Sequence, residues 1–208
     1  MMLTRRTFLA LPLVVALTNA GFVAAQPAQD PDWPCAQIFV SEVSAAVVWD
    51  GPPVEAAAWK SQEDAALSRL VARLSARTTP IAEAETLIQR FAQATPAAER
   101  NRRLTLLFAG TLHRLNHERA QLQRGIKRFA RDQQRRAQRI QQTLNESADK
   151  DSHSPDTPGG AADVHERLAW QKRMFEDRER QVSYLCEQPR LVEERIGTLA
   201  RTISAHLL

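Results

Sequence analysis

The sequence predicts an all-α protein: a long antiparallel, coiled-coil-like hairpin, two shorter helices packed on it, and an irregular amino-terminal strap. Three observations carry that expectation. Val164, Leu168, Gln171, Phe175, Arg178, Val182, Leu185, Pro189, Val192, Ile196, Leu199 and Ile203 step by 4, 3, 4, 3 without a slip, which is a heptad seam. Phe108, Leu112, Leu115, Arg119, Leu122, Ile126, Phe129, Gln133, Arg136 and Ile140 repeat the step upstream. Composition agrees, because 6% aromatics and only 7 glycines in 208 residues suit long helices better than sheets.

Taken in order, residues 1–25 read as an export signal. Arg5 and Arg6 form the charged region, Phe8 to Leu17 the apolar region, and Val23-Ala24-Ala25 a small-residue cleavage site before Gln26. Thr4-Arg5-Arg6-Thr7-Phe8-Leu9 resembles the twin-arginine signal, which implies export of an already folded protein. Adjacent arginines also occur in ordinary signals, so both routes stay open. The expected location is the periplasm or the medium. The formal charge of +4 includes Arg5 and Arg6, so the processed chain carries only about +2.

Residues 26–55 form the strap. Pro27, Pro31, Pro34, Pro52 and Pro53 exclude a long helix there, while Ile38 to Trp49 has room for a short extended segment or a helical turn. Trp33 and Trp49 are expected to lie in a groove on the helices, in preference to forming an exposed binding motif. Cys35 and Cys186 are the two cysteines of the chain. In an oxidising compartment they should pair, tying the strap to the last helix across a loop of roughly 150 residues. A redox pair is the alternative, but Cys-x-x-Cys spacing is lacking.

The helical domain occupies 56–208. Ala56 to Ala76 should make a first helix, with Leu67, Leu70, Val71 and Leu74 on its apolar stripe and Glu63-Asp64 on its wet face. Thr79 as N-cap and Pro80 at the first helical position begin the next, and Thr95-Pro96 repeats that stop-and-start signal. Ala97 to about Leu144 reads as one long helix, with Gly110 and Gly125 as places to bend. Residues 145–162, rich in Ser, Asp, Pro and Gly, read as a flexible connection. The return helix should kink near Cys186 to Pro189, where a proline removes one backbone bond. Antiparallel register sets Gln133 near Phe175, Arg178 near Phe129, and Leu115 near Val192. The polar seam residues then fall toward the loop, and the better core lies around Leu112 to Ile126.

Chemical signatures are sparse. His113 and His117 lie four apart on the long helix, a spacing that presents two imidazoles to one metal. Glu118 points about 100° away and His-Glu-x-x-His is absent, so a solvated pair is favoured, with no metal or cofactor expected. Twelve arginines and lysines between Arg100 and Arg139 face only Glu99, Glu118 and Asp132 on the same helix. The bland account pairs them with Glu166, Glu176, Asp177, Glu179, Glu193 and Glu194 on the return helix. The sharper one gives them an anionic surface, either phosphate or acidic lipid; export disfavours nucleic acid. No nucleophile with its base, Gly-rich phosphate loop or convergent carboxylates accompanies them, so no enzyme is expected.

Asp32-Trp33-Pro34-Cys35 and Tyr184-x-Cys186-Glu187-x-Pro189 resemble a group of uncharacterised bacterial exported helical proteins. The resemblance covers most of the chain after the leader and implies a helical, exported protein with no assigned activity. The leading expectation is therefore a non-enzymatic interaction or scaffolding component of the periplasm, binding another protein or itself. An anionic membrane surface bound through the basic helix is the second, and metal handling through His113 and His117 the third.

Overall fold

A computed structural model describes residues 30–54, 64–153 and 160–208, and among these every regular element is helical. The expected export leader and its expected Ala25–Gln26 cleavage point lie outside the described residues. The elements are α1 (Ala45–Val48), α2 (Ala65–Ser75), α3 (Ile81–Ala94), α4 (Ala97–His153), α5 (Gly160–Glu179) and α6 (Val182–Ser204).

The helix boundaries follow local chemistry, with several corrections to the expectations above. Asp64 does not lie on the wet face of a longer helix. Its backbone is extended and its Oδ1 accepts from the N–H groups of Ala66 and Leu67, at 3.0 and 2.9 Å, so it caps α2. Residues 55–63 lie outside the described residues. Pro80 takes the cap position of α3, one residue later than predicted, and leaves it without a side-chain cap. From α6, Arg195 donates to the carbonyls of Leu74, at 2.9 and 2.7 Å, and of Thr79, at 2.9 Å. Those bonds satisfy carbonyls at and beyond the end of α2. Burial pulls the Arg195 guanidinium below its ordinary pKa, and the charge of Glu118 opposes this.

α4 is one helix of 57 residues, unbroken at Gly110 and Gly125 and continuing past Leu144 to His153. The predicted connection over 145–162 is thus helical at both ends, and 154–159 lie outside the described residues. The return helix is interrupted at Arg180–Gln181, where the Gln181 N–H bonds the Arg178 carbonyl, and not at Pro189. Pro189 sits buried inside α6. Near it the strap supplies a donor, because Gln37 Nε2 reaches the Cys186 carbonyl at 3.5 Å. A side chain from outside thus contacts the turn that the proline loosens.

The heptad seams close on each other within the chain. Every seam position of α4, α5 and α6 is buried or half-buried. Gln133 Nε2 donates to the Phe175 carbonyl at 3.3 Å, and the Arg178 guanidinium lies 4.6 Å from the centre of the Phe129 ring. Both are the pairings the antiparallel register predicts. The contiguous apolar core lies in the proximal half, where Leu104, Phe108 and Leu115 meet Ile196, Leu199 and Ile203. α2 covers it from the α4 side and α3 from the α6 side. Toward the distal end Gln133, Thr143 and Ser147 are buried between the helices along with Val164 and Leu168, so polar layers interrupt the apolar ones.

A strap cleft beside the long helix

The strap is held by a row of long polar side chains on α4. Asn116 Oδ1 accepts from the Val43 N–H at 3.1 Å, while its Nδ2 donates to the Val43 carbonyl at 2.9 Å. One amide thus satisfies both backbone groups of an extended residue, as a neighbouring strand would. Arg119 and Gln123 both donate to the Val40 carbonyl, at 2.6 and 2.8 Å. Further along, Lys127 meets Asp30 and Arg131 meets Asp32, each at 2.6 Å. From Asn116 to Lys127 residue numbers rise on α4 as they fall on the strap, so the two run antiparallel there, and the step reverses at the last pair, Arg131 with Asp32.

Arg119 is the centre of this row. Its side chain is 5% exposed and its Nε lies 2.5 Å from Glu193 Oε1 of α6, so a single guanidinium joins strap, α4 and α6. Burying that charge is tolerable because a carboxylate and a carbonyl receive it together. Lys127 Nζ also lies 3.7 Å from the centre of the Phe39 ring. The expected pairing of α4 with carboxylates of the return helix holds only at Glu193 among the six named. The strap aspartates and Asp64 pair with Lys127, Arg131 and Arg103, and Glu99 and Asp132 of α4 itself with Arg102, Arg135 and Arg136.

Cys35 and Cys186 form a disulfide, with Cα atoms 5.6 Å apart, as expected for two thiols brought together in this way. The tryptophans part company. Trp49 enters the core, stacked on Phe108 at 4.2 Å and an interplanar angle of 5°, with Nε1 donating to the Pro52 carbonyl. Trp33 packs edge-on to Phe39 at 5.2 Å and donates to the Gln37 carbonyl, so it braces the strap itself instead of filling a helix groove.

Between strap and α6 lies a cleft of about 540 Å³. Trp33, Ile38, Val40, Val47 and Pro189 give it an apolar lining, and Glu42, Arg190 and Glu193 stand around it. Ile38 is 66% exposed and Val47 81%, an unusual pair of aliphatic side chains to leave in water beside one opening.

His113 and His117 lie elsewhere, both exposed, beside a groove of about 690 Å³ between α2 and α4. His117 Nε2 is 2.9 Å from Gln121 Nε2, and Glu118 is engaged by Arg77 at 2.5 Å. Among the described residues no three His, Cys, Asp or Glu side chains gather as a metal set. The residues that hold the strap, Asn116 and Gln123 above all, went unnoticed in the sequence. Their signal was a second stripe, Asn116-Arg119-Gln123-Lys127-Arg131, running beside the seam at spacings of 3, 4, 4 and 4.

No family profile matches the chain, and neither a curated protein nor a solved structure shows significant similarity to it. No helix among the described residues is long and apolar enough to cross a membrane. Function has to be read from these side chains.

The ionic end of the strap should open in acid. The Asp30 carboxyl is held below its ordinary pKa by the hydrogen bond from Lys127 and by the backbone N–H of Asp32, against a smaller opposing effect of burial. A depressed carboxylate contributes stability that is complete above its unfolded pKa and is lost as pH falls through the folded one. Amides around Asp32 should therefore exchange faster at pH 3 than at pH 6, after correction for intrinsic rates, and Lys127→Met should abolish the difference. Equal protection at both pH values would refute the contribution.

Proposed function

We propose that this chain is a non-enzymatic interaction component of an oxidising, extracytoplasmic compartment, and that its strap cleft receives an apolar segment of another protein. The observation that carries the reading is the cleft itself, where Ile38 and Val47 stand exposed beside an apolar lining that the Cys35–Cys186 disulfide borders. A volume of about 540 Å³ suits a few apolar side chains of a docked segment. The disulfide favours an oxidising location, in keeping with the leader. The heptad seams are consumed inside the hairpin, so a partner helix has no free seam to join, and the cleft takes that role.

Photo-cross-linking in intact cells, with the reactive residue at Val47, tests this. A discrete adduct that disappears in Ile38→Glu supports the reading. Adducts only between copies of this chain would replace it with self-assembly. A strictly monomeric protein with no adduct would sink it.

A further inference from the structure

The basic residues of α4 divide into those the fold uses and those it leaves. Arg103, Arg119, Lys127 and Arg131 are spent on carboxylates of other segments. Asp132 serves Arg135, Arg136 and Arg178 together, so that group keeps a net positive charge. Its carboxyl is held below its ordinary pKa, first by the hydrogen bond from Arg136. Arg114, Arg124, Arg128 and Arg139 are exposed and have no carboxylate partner among the described residues.

Those four arginines, which looked scattered in the sequence, are not scattered on the helix. At 100° per residue Arg114, Arg124, Arg128, Arg135 and Arg139 fall within about 80° of arc. Their stripe faces away from the seam and runs about 37 Å at 1.5 Å per residue. Between its ends the same face carries His117, Gln121 and Asp132, and no apolar or aromatic side chain.

We propose that this stripe docks the protein on an anionic phospholipid surface, through guanidinium–phosphate contacts and without inserting apolar side chains. Arginine presents a planar fork of donors that matches phosphate oxygens two at a time. A row of guanidiniums along one face of a continuous helix meets phosphates along its whole length only where these lie in a plane, as in a bilayer surface. A duplex backbone curves away from such a row, and single-stranded nucleic acid calls for stacking aromatics that this face lacks. The absence of apolar side chains on the stripe makes the contact peripheral and salt-sensitive. This surface is separate from the strap cleft, so both can be occupied together.

Sedimentation of the purified protein with phosphatidylcholine vesicles containing about a third phosphatidylglycerol tests the proposal, since each arginine near such a surface strengthens binding about fivefold. Arg114, Arg124, Arg128 and Arg139 changed together to Gln should weaken binding by two to three orders of magnitude. These side chains support no packing, so the variant should keep its helical circular dichroism. A control with the same loss of charge, Arg69, Arg90, Arg173 and Arg201 to Gln, should bind like the wild type. Equal binding by the stripe variant and the wild type, or no wild-type binding at physiological salt, would overturn the proposal. Tighter binding to a DNA duplex than to the vesicles would overturn the choice of lipid.

Discussion

Replacing Cys35 and Cys186 together by serine should lower the free energy of unfolding by about 3–5 kcal/mol. The bond joins residues 151 apart, and in the chain-entropy model a ring of that size removes about 5 kcal/mol of freedom from the unfolded chain. The denaturant slope should rise at the same time, because an uncrosslinked unfolded chain exposes more surface. The folded helices should survive, since the apolar core of Leu104, Phe108, Ile196 and Leu199 does not include the bridge. What should go first is the amino-terminal part of the strap, left to Arg119, Gln123 and two ion pairs, while Trp49 keeps the other end in the core. Equilibrium urea unfolding with limited proteolysis measures both effects, and a midpoint within error of the wild type would refute the account.

Trp49→Ala should cost about 3–5 kcal/mol, the range for removing a large buried ring. The indole is 9% exposed and lies flat on Phe108, so its loss empties a place the strap alone fills. Gly51 shows how tightly that place is made. A Cβ at Gly51 would stand 2.3 and 2.5 Å from Trp49 ring atoms and 2.7 Å from Leu207 Cδ1. Gly51→Ala must therefore push the indole aside, at about 1–3 kcal/mol. The two changes share one cause and should not add: most of the Gly51→Ala cost should vanish once Trp49 is already alanine. Strict additivity in thermal or denaturant unfolding of the four proteins would show that Gly51 acts through something else.

The sequence made the hairpin legible because a heptad seam repeats over many turns, and each repeat constrains the next. Register followed from the same pattern, down to Arg178 over Phe129. Features decided by a single contact were not legible. Trp33 and Trp49 sit in equally proline-rich surroundings, and only the nearness of Phe108 separates their fates. Pro189 looked like the breaker, yet the interruption falls at Arg180–Gln181. The partners of Lys127 and Arg131 could not be foreseen, because Asp30 and Asp32 lie about 97 and 99 residues away in sequence. The strap cleft escaped for the same reason: it lies between strap and α6, and the strap's position depends on a polar row of α4 far away in sequence. The resemblance suggested by the Asp32-Trp33-Pro34-Cys35 stretch was no help with any of these.

The disulfide also changes what a broken backbone means for this molecule. Residues 35–186 form a closed covalent ring, and α2, α3, α4 and α5 all lie on it. A protease that cuts once anywhere on that ring, including between α4 and α5, produces no free fragment. The nicked protein keeps the full mass of its chain on a denaturing gel until a thiol is added, and only then separates into two bands. A single scission on that ring therefore need not release either half of the hairpin.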